Sequence, residues 1–190
     1  MSLSQGLMAQ ERADYAHFIS VPLLSMATNL QCNFAKSILI GPSIGCGTVA
    51  SELEKQKNEA LALKKDFAFE TNFSNEMVVE MVREFKKAGF KVSLYYFGLY
   101  SEDESVSRVI HRVQTGGHNV TDEVIRFNFN EGLKNTKQHL HLFENLAFID
   151  GSSDFGKIVA LHIERNHVHE VAENPPLWFR EQFENVFDNL

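Results

Sequence analysis

Between Lys36 and Thr48 the chain reads Lys-Ser-Ile-Leu-Ile-Gly-Pro-Ser-Ile-Gly-Cys-Gly-Thr: an apolar run, a Gly/Pro-rich turn and an opening helix. Successive backbone N–H groups in such a turn make an anion nest, and a helix N-terminus adds partial positive charge. The pattern G-x-x-x-x-G-K-[ST] cradles phosphates in this way. Aligned on Gly41 and Thr48, the turn carries Gly41, Ser43, Gly45 and Gly47, and Thr48 stands where a hydroxyl would ligand Mg²⁺. Cys46 replaces the second glycine and Gly47 replaces the lysine. A unit cation ~4 Å from a phosphate charge contributes on the order of 4 kcal/mol at an effective dielectric near 20. Losing it would slow phosphoryl transfer by roughly a thousandfold. The competing reading is an ordinary strand–turn–helix corner with Cys46 a small buried residue, and from this window alone it is the favoured one.

Two further segments carry chemistry. In Phe67-Ala-Phe-Glu-Thr-Asn-Phe-Ser74, Glu70 and Thr71 close an apolar run. A carboxylate at the carboxyl end of a strand lies where α/β proteins bind ligands, and it can accept from substrate hydroxyls or act as a base; the alternative is a helix cap or surface carboxylate. In Arg108-Val-Ile-His-Arg-Val-Gln-Thr-Gly-Gly-His-Asn-Val120, Arg108 and Arg112 are one helical turn apart. Guanidinium groups match phosphate oxygens bidentately and stabilise charge in phosphoryl transfer, with His118 in the adjoining glycine loop. The alternative is a solvated helix face paired with Glu102 or Glu104. His139/His141 and His167/His169 are i, i+2 pairs that face one way only on a strand. No Cys or carboxylate set at metal-ligand spacing accompanies them, so no protein metal site is expected, and His162 reads as an interior or edge residue.

These groups need a scaffold that alternates strand and helix, and the pattern predicts α/β. Ile38–Ile40 reads as a strand and 48–65 as a helix. Phe67–Glu70 reads as a short strand, and 75–88 as an amphipathic helix with Met77, Met81 and Phe85 at i, i+4 spacing. Lys91–Phe97 is the clearest strand. Helices follow from the acidic Glu102–Glu104 to about Val113 and from Thr121 to about Asn135. Leu146–Asp150 is a strand ending in a turn signal. Ile158–Ile163 and His167–Val171 read as late strands or a hairpin, and Leu177–Phe187 as a terminal helix. Residues 1–33 read as an N-terminal arm or helix, with one domain over 34–190.

Composition narrows the classes. The chain has 190 residues, 44% hydrophobic and 23% charged, with net charge −7. Such a charge repels nucleic acid and anionic membranes, so neither is an expected partner. Cys32 and Cys46 cannot make a disulfide framework. Val21–Ala27 is too short to span a bilayer and lacks a signal-peptide pattern. A cytoplasmic address is expected.

Taken together, the segments resemble the zeta-toxin family of P-loop kinases, particularly its short bacterial members. The resemblance runs from Asp66 to Asp150. Residues 67–73 look like the family's strand ending in Glu-Thr, and 112–120 like its Arg…Gly-Gly-His segment. Glu131-Gly-Leu-Lys-Asn135 and Phe148-Ile-Asp-Gly-Ser152 follow in order, and Pro175-Pro-Leu-Trp-Phe179 also fits. The resemblance implies a P-loop kinase-like three-layer fold with a mainly parallel sheet flanked by helices, and ATP or GTP with Mg²⁺ as phosphoryl source. Known members phosphorylate the sugar of UDP-N-acetylglucosamine, and some are toxin halves of toxin–antitoxin pairs, which implies a sugar-nucleotide acceptor and an antitoxin partner. Carried over, Glu70 and Thr71 would contact the acceptor and Arg112, with Arg108, the phosphates. His118 would shape the loop, and Asp150 would lie near the nucleotide base.

The chain also departs from that pattern. No lysine stands at Gly47. The family's catalytic Asp usually lies between the phosphate loop and the Glu-Thr strand, yet only about twenty residues separate Thr48 from Glu70. Phe127 and Asn128 stand where a basic pair normally does. In a second register, 48–65 is the helix before the Glu-Thr strand, and Phe18-Ile-Ser-Val-Pro22 echoes the Asp-bearing strand with Pro22 for Asp. The implied function is a kinase impaired by the missing lysine, or a non-catalytic pseudokinase or partner-binding module of the same fold.

Overall fold

Apolar residues two apart, as in Phe67/Phe69, Val92/Leu94/Tyr96 and Leu146/Phe148, build the strands on which everything else rests. A computed structural model describes residues 15–20, 46–114, 120–152 and 156–190 of the chain. Its strands are β1 (Tyr15–Ser20), β2 (Phe67–Thr71), β3 (Lys91–Gly98), β4 (Asn145–Asp150), β5 (Lys157–Ile163) and β6 (Val168–Val171). Its helices are α1 (Cys46–Leu63), α2 (Glu76–Lys87), α3 (Glu102–Gln114), α4 (Asp122–His139), α5 (Leu177–Gln182) and α6 (Glu184–Phe187). The expected strand at Ile38–Ile40 and the positions Gly41, Ser43, Gly45 and His118 lie outside the described residues.

The fold is α/β, a mixed six-stranded sheet in the order β2-β1-β3-β4-β5-β6 with flanking helices. β1 pairs in parallel with β2 and with β3, and β3 with β4. β5 and β6 then run antiparallel. Only residues 151–156 join β4 to β5, too few for a crossover, so the chain must turn back on itself. Tyr15–Ser20, read as part of an arm or helix and, in the second register, as overlapping a strand at Phe18–Pro22, is an interior strand. Its six residues, broken by His17, show no clear period, and its order comes from the ladders on both sides.

α1 and α2 run side by side in the same direction. The Lys57 ammonium bridges Glu54 at 2.9 Å and Glu84 at 2.7 Å, and Lys64 reaches the Ala88 carbonyl and lies over the Phe90 ring. Lys64 also closes α1 in the left-handed conformation, φ 52°. In α2 the buried face is Val78, Val79, Met81, Val82 and Phe85. Met77, expected on that stripe, is instead 72% exposed. It lies in the first turn, where Asn75 Oδ1 accepts from its backbone N–H at 2.9 Å.

The main core joins β2, β3 and β4 to α2 and to the C-terminal helices through Phe73, Phe85, Phe148, Phe179, Phe183 and Phe187, all fully buried. The single expected terminal helix is two, broken at Phe183 (φ −126°), which brings Phe183 and Phe187 onto the Phe148 ring at 4.8 and 5.6 Å. α3 and α4 form a hairpin with its own small core of Val106, Val109 and Ile125. Among the described residues, no helix is long and apolar enough to cross a membrane.

Candidate functional site at the carboxyl edge

The parallel strands set the levels of the candidate residues. Glu70 is level with Ile19 and, across β1, with Tyr95; Thr71 is level with Ser20 and Tyr96. Asp150 is level with Gly98 at the end of β3. Chain connections leave β1 and β3 in opposite directions, toward β2 and toward β4, so a topological switch point lies between their carboxyl ends. Open α/β sheets bind ligands in such crevices.

Glu70 points away from the Phe67/Phe69 face and is half-buried. Burial alone holds its carboxyl above the ordinary carboxylate range. Thr71 Oγ1 accepts from the Phe73 N–H at 3.0 Å, which closes a local turn after β2. Phe73 then takes φ 55° with its ring fully buried, and its carbonyl accepts from buried Asn135 Nδ2 at 3.0 Å. Ser74 Oγ donates to Asn128 Oδ1 at 2.8 Å. A Cβ on Gly132 would lie 2.2 Å from the Asn72 carbonyl oxygen, so only glycine lets α4 approach this closely. Gly132 and Asn135 therefore hold the Glu70–Ser74 turn from behind. In the sequence both residues stand within the Glu131–Asn135 motif, where a lone glycine in a helical pattern is the available signal.

α3 lies across the neighbouring strand ends. Ser101 Oγ accepts from Glu104 N at 3.2 Å, and Glu104 in turn accepts from Tyr100 N at 2.9 Å. Arg108 Nη2 donates to Glu104 Oε1 at 2.9 Å and to the Gly151 carbonyl at 2.5 Å. Arg108 is thus a tether between α3 and the turn after β4. The pairing with Glu104 is the one the solvated-face reading foresaw, although the Arg108 side chain is only 18% exposed. Arg112, one turn on, is half-buried. Asp150 Oδ1 accepts from Ser152 N and Oγ at 3.1 and 2.8 Å, and Gly151 N donates to Gly98 O at 2.9 Å. Arg126 joins α4 to the start of α3 through Glu102 and Asp103 at 3.0 and 2.6 Å. In this way α4 links the Glu70 turn on one side to the arginine-bearing helix on the other.

Gly47 and Thr48 lie in the first turn of α1. α1 runs opposite to β2 and enters it through Lys64–Asp66, which puts that first turn at the same end of the sheet as Glu70. A helix directly before the Glu-Thr strand is common to both registers. A cavity of about 1110 Å³ lies elsewhere, at the amino ends of β3 and β4, lined by Lys91, Ser93, Glu144, Asn145 and Arg165 among others. Its principal carboxylate is already engaged: Glu144 pairs with Lys86 at 2.5 Å and accepts from Val92 N at 2.7 Å. Size alone gives that cavity no chemistry, and the carboxyl edge is the better candidate.

Comparison with known proteins adds little to this geometry. No protein-family model matches the chain. A 63-residue stretch is 25% identical to an uncharacterized protein of Haemophilus influenzae, covering 33% of this chain and 45% of that protein. The chain thus spans less than half the length of this relative.

The burial of Glu70 has a measurable consequence. The folded state holds its proton more tightly than the unfolded chain does. Its stabilising contribution is present below the unfolded value, near pH 4.3, and is lost as pH rises through the higher folded value. Glu70→Gln removes a buried charge at neutral pH. The variant is expected to melt above the wild type at pH 7 to 8 and level with it near pH 4, as read by thermal denaturation across pH.

Proposed function

We propose that the chain is a zeta-toxin-like relative of the P-loop kinases, with a three-layer core. Its carboxyl-edge cleft takes a phosphorylated small molecule, a purine nucleotide with Mg²⁺ opposite a sugar-nucleotide acceptor. Glu70 and Thr71 face the acceptor, and Arg112 faces phosphate. Gly47 and Thr48 open the helix on the nucleotide side, and Asp150 lies toward the base. One observation carries the reading. A half-buried carboxylate with a raised pKa sits at a strand end beside a switch point, and the first turn of α1, the arginine-bearing α3 and the Asp150 turn share that edge. A buried carboxylate poised nearer neutrality suits a group that receives a proton from an acceptor hydroxyl.

Transfer itself is impaired in this reading. Gly47 offers no cation, and Arg108 is held by Glu104 and Gly151. The same two observations favour a second reading, a pseudokinase that binds without turnover. Calorimetry with ATP–Mg²⁺ and with UDP-N-acetylglucosamine, alongside a phosphoryl-transfer assay, tests both. Binding of either ligand with turnover at least about a thousandfold below that of a lysine-bearing kinase supports the first. Binding with no turnover, unchanged in Gly47→Lys, supports the second. Failure to bind either ligand contradicts both.

A further inference from the structure

The β5–β6 hairpin carries three imidazoles that the proposed kinase chemistry does not use, and two of them meet. His162 on β5 and His169 on β6 are directly opposite each other in the antiparallel ladder. Directly opposed side chains on one face of such a pair are the closest cross-strand neighbours. Their Nδ1 atoms are 3.1 Å apart. The His169 ring stacks on Phe187 of α6 with centroids 4.4 Å apart and planes 24° from parallel, and His162 meets the same ring edge-on at 6.4 Å. α6 thus fixes both rings from one side, while His169 remains exposed on the other.

We propose that His162 and His169 form a two-point chelate for a borderline transition-metal ion such as Ni²⁺, Cu²⁺ or Zn²⁺. The geometry carries the assignment. A cation at the usual distance of about 2.0–2.1 Å from both nitrogens would see them at roughly 100°. That angle lies between the right angle of a square-planar site and the tetrahedral angle. In the metal-free pair one Nδ1–H donates to the other Nδ1. On binding, the donor ring loses its Nδ1 proton to water and takes one at Nε2 from water, so both rings are neutral Nε2–H tautomers with both Nδ1 lone pairs on the metal. No charge change on either ring is required. Neutral imidazole is the form that ligates a metal ion, so binding is expected to weaken at acid pH. Among the described residues, no third His, Cys, Asp or Glu completes a set, so water or an added small ligand fills the remaining positions. Imidazole donors select these ions over Mg²⁺ and Ca²⁺, which take oxygen.

The i, i+2 pairs that sequence singles out are not the ones that meet. His139 Nδ1 is engaged with the Asn135 carbonyl at 2.9 Å, and the rings of His139 and His141 are 6.3 Å apart. His167 closes a turn at φ 52°, off the strand that carries His169. The test uses the full-length chain titrated with NiCl₂ by calorimetry at pH 7.5, with His169→Gln, His162→Gln and, as a control, His139→Gln/His141→Gln. Wild type and control are expected to bind with equal affinity, and each single variant at least about tenfold more weakly, since one arm of a chelate is lost. His169 is exposed, so its variant remains informative if His162→Gln folds poorly. No Ni²⁺ binding by the wild type, or undiminished affinity in His169→Gln, overturns the proposal.

Discussion

Phe148→Ala is expected to lower the stability of the chain by about 3–5 kcal/mol. For a chain of this size that corresponds to a fall in Tm of roughly 6–20 °C. The ring is fully buried on the central part of β4. It contacts Tyr96 on β3 at 5.7 Å, Phe179 at 5.2 Å, Phe183 at 4.8 Å and Phe187 at 5.6 Å. These rings meet tilted or edge-on, the favoured arrangements of aromatic pairs. Alanine would leave a ring-sized cavity that four neighbouring aromatics cannot close without breaking their own contacts. The loss reaches the candidate site, because the same cluster seats Trp178 against Gly98 at the end of β3, where an added Cβ would lie 2.4 Å from the indole. Urea denaturation read through Trp178 fluorescence measures the effect. A loss below about 1 kcal/mol would mean that α5 and α6 do not pack on β4 as described.

Gly132→Ala is expected to cost about 2–3 kcal/mol, although alanine is the better helix former. Propensity predicts a gain of up to about 1 kcal/mol for this change in a free helix. Contact predicts a loss, because the new methyl would meet the Asn72 carbonyl oxygen, a backbone atom with no rotamer by which to withdraw. Relief requires α4 to lift from the turn. That would stretch the Asn135–Phe73 and Asn128–Ser74 hydrogen bonds, each about 3 Å long, and leave buried Asn135 without its partner. The sign of the change decides the question, and thermal denaturation reads it. Unchanged or raised Tm would show that α4 does not press on the Glu70–Ser74 turn. Any ligand affinity at the carboxyl edge is expected to fall with the stability, because the turn that positions Glu70 and Thr71 is the element displaced.

How far the sequence carries is visible residue by residue. β2, β3 and β4 were legible because their core-facing residues alternate, and a turn signal closes the run of β4. α2 was legible from its apolar stripe, apart from Met77, whose exposure depends on where the helix begins relative to the sheet. β1 was legible only as the Phe18–Pro22 strand of the second register, since Tyr15–Ser20 is ordered by β2 and β3, whose paired residues stand 51 or more positions later in the chain. The break at Phe183 carries neither Gly nor Pro; what accompanies it is the contact of its ring with Phe148, which no local window contains. α4 runs on to His139 because nothing after Asn135 stops a helix.

The candidate site divides in the same way. Glu70 could be read as a carboxylate ending a strand, but its burial and raised pKa follow from the fold around it. Arg108 and Arg112 were equivalent by spacing, and the fold distinguishes Arg108 as the one tied to Glu104 and the Gly151 carbonyl. Gly132 gave a signal with no stated partner. The His162–His169 pair gave none, because seven intervening positions become a direct contact only when the hairpin register is known.

The central claim is that the carboxyl edge of the sheet, between the Glu-Thr strand and the arginine-bearing helix, receives a phosphorylated molecule. Amide chemical-shift mapping of the full chain with UDP-N-acetylglucosamine and, separately, ATP–Mg²⁺ tests it most directly. The account predicts that shifts concentrate at Glu70–Asn72, Gly98–Ser101, Arg108–Arg112 and Asp150–Ser152, and weaken in Glu70→Gln for the sugar nucleotide. Shifts confined to the amino-end cavity around Lys91, Glu144 and Arg165, or none with either ligand, would contradict it.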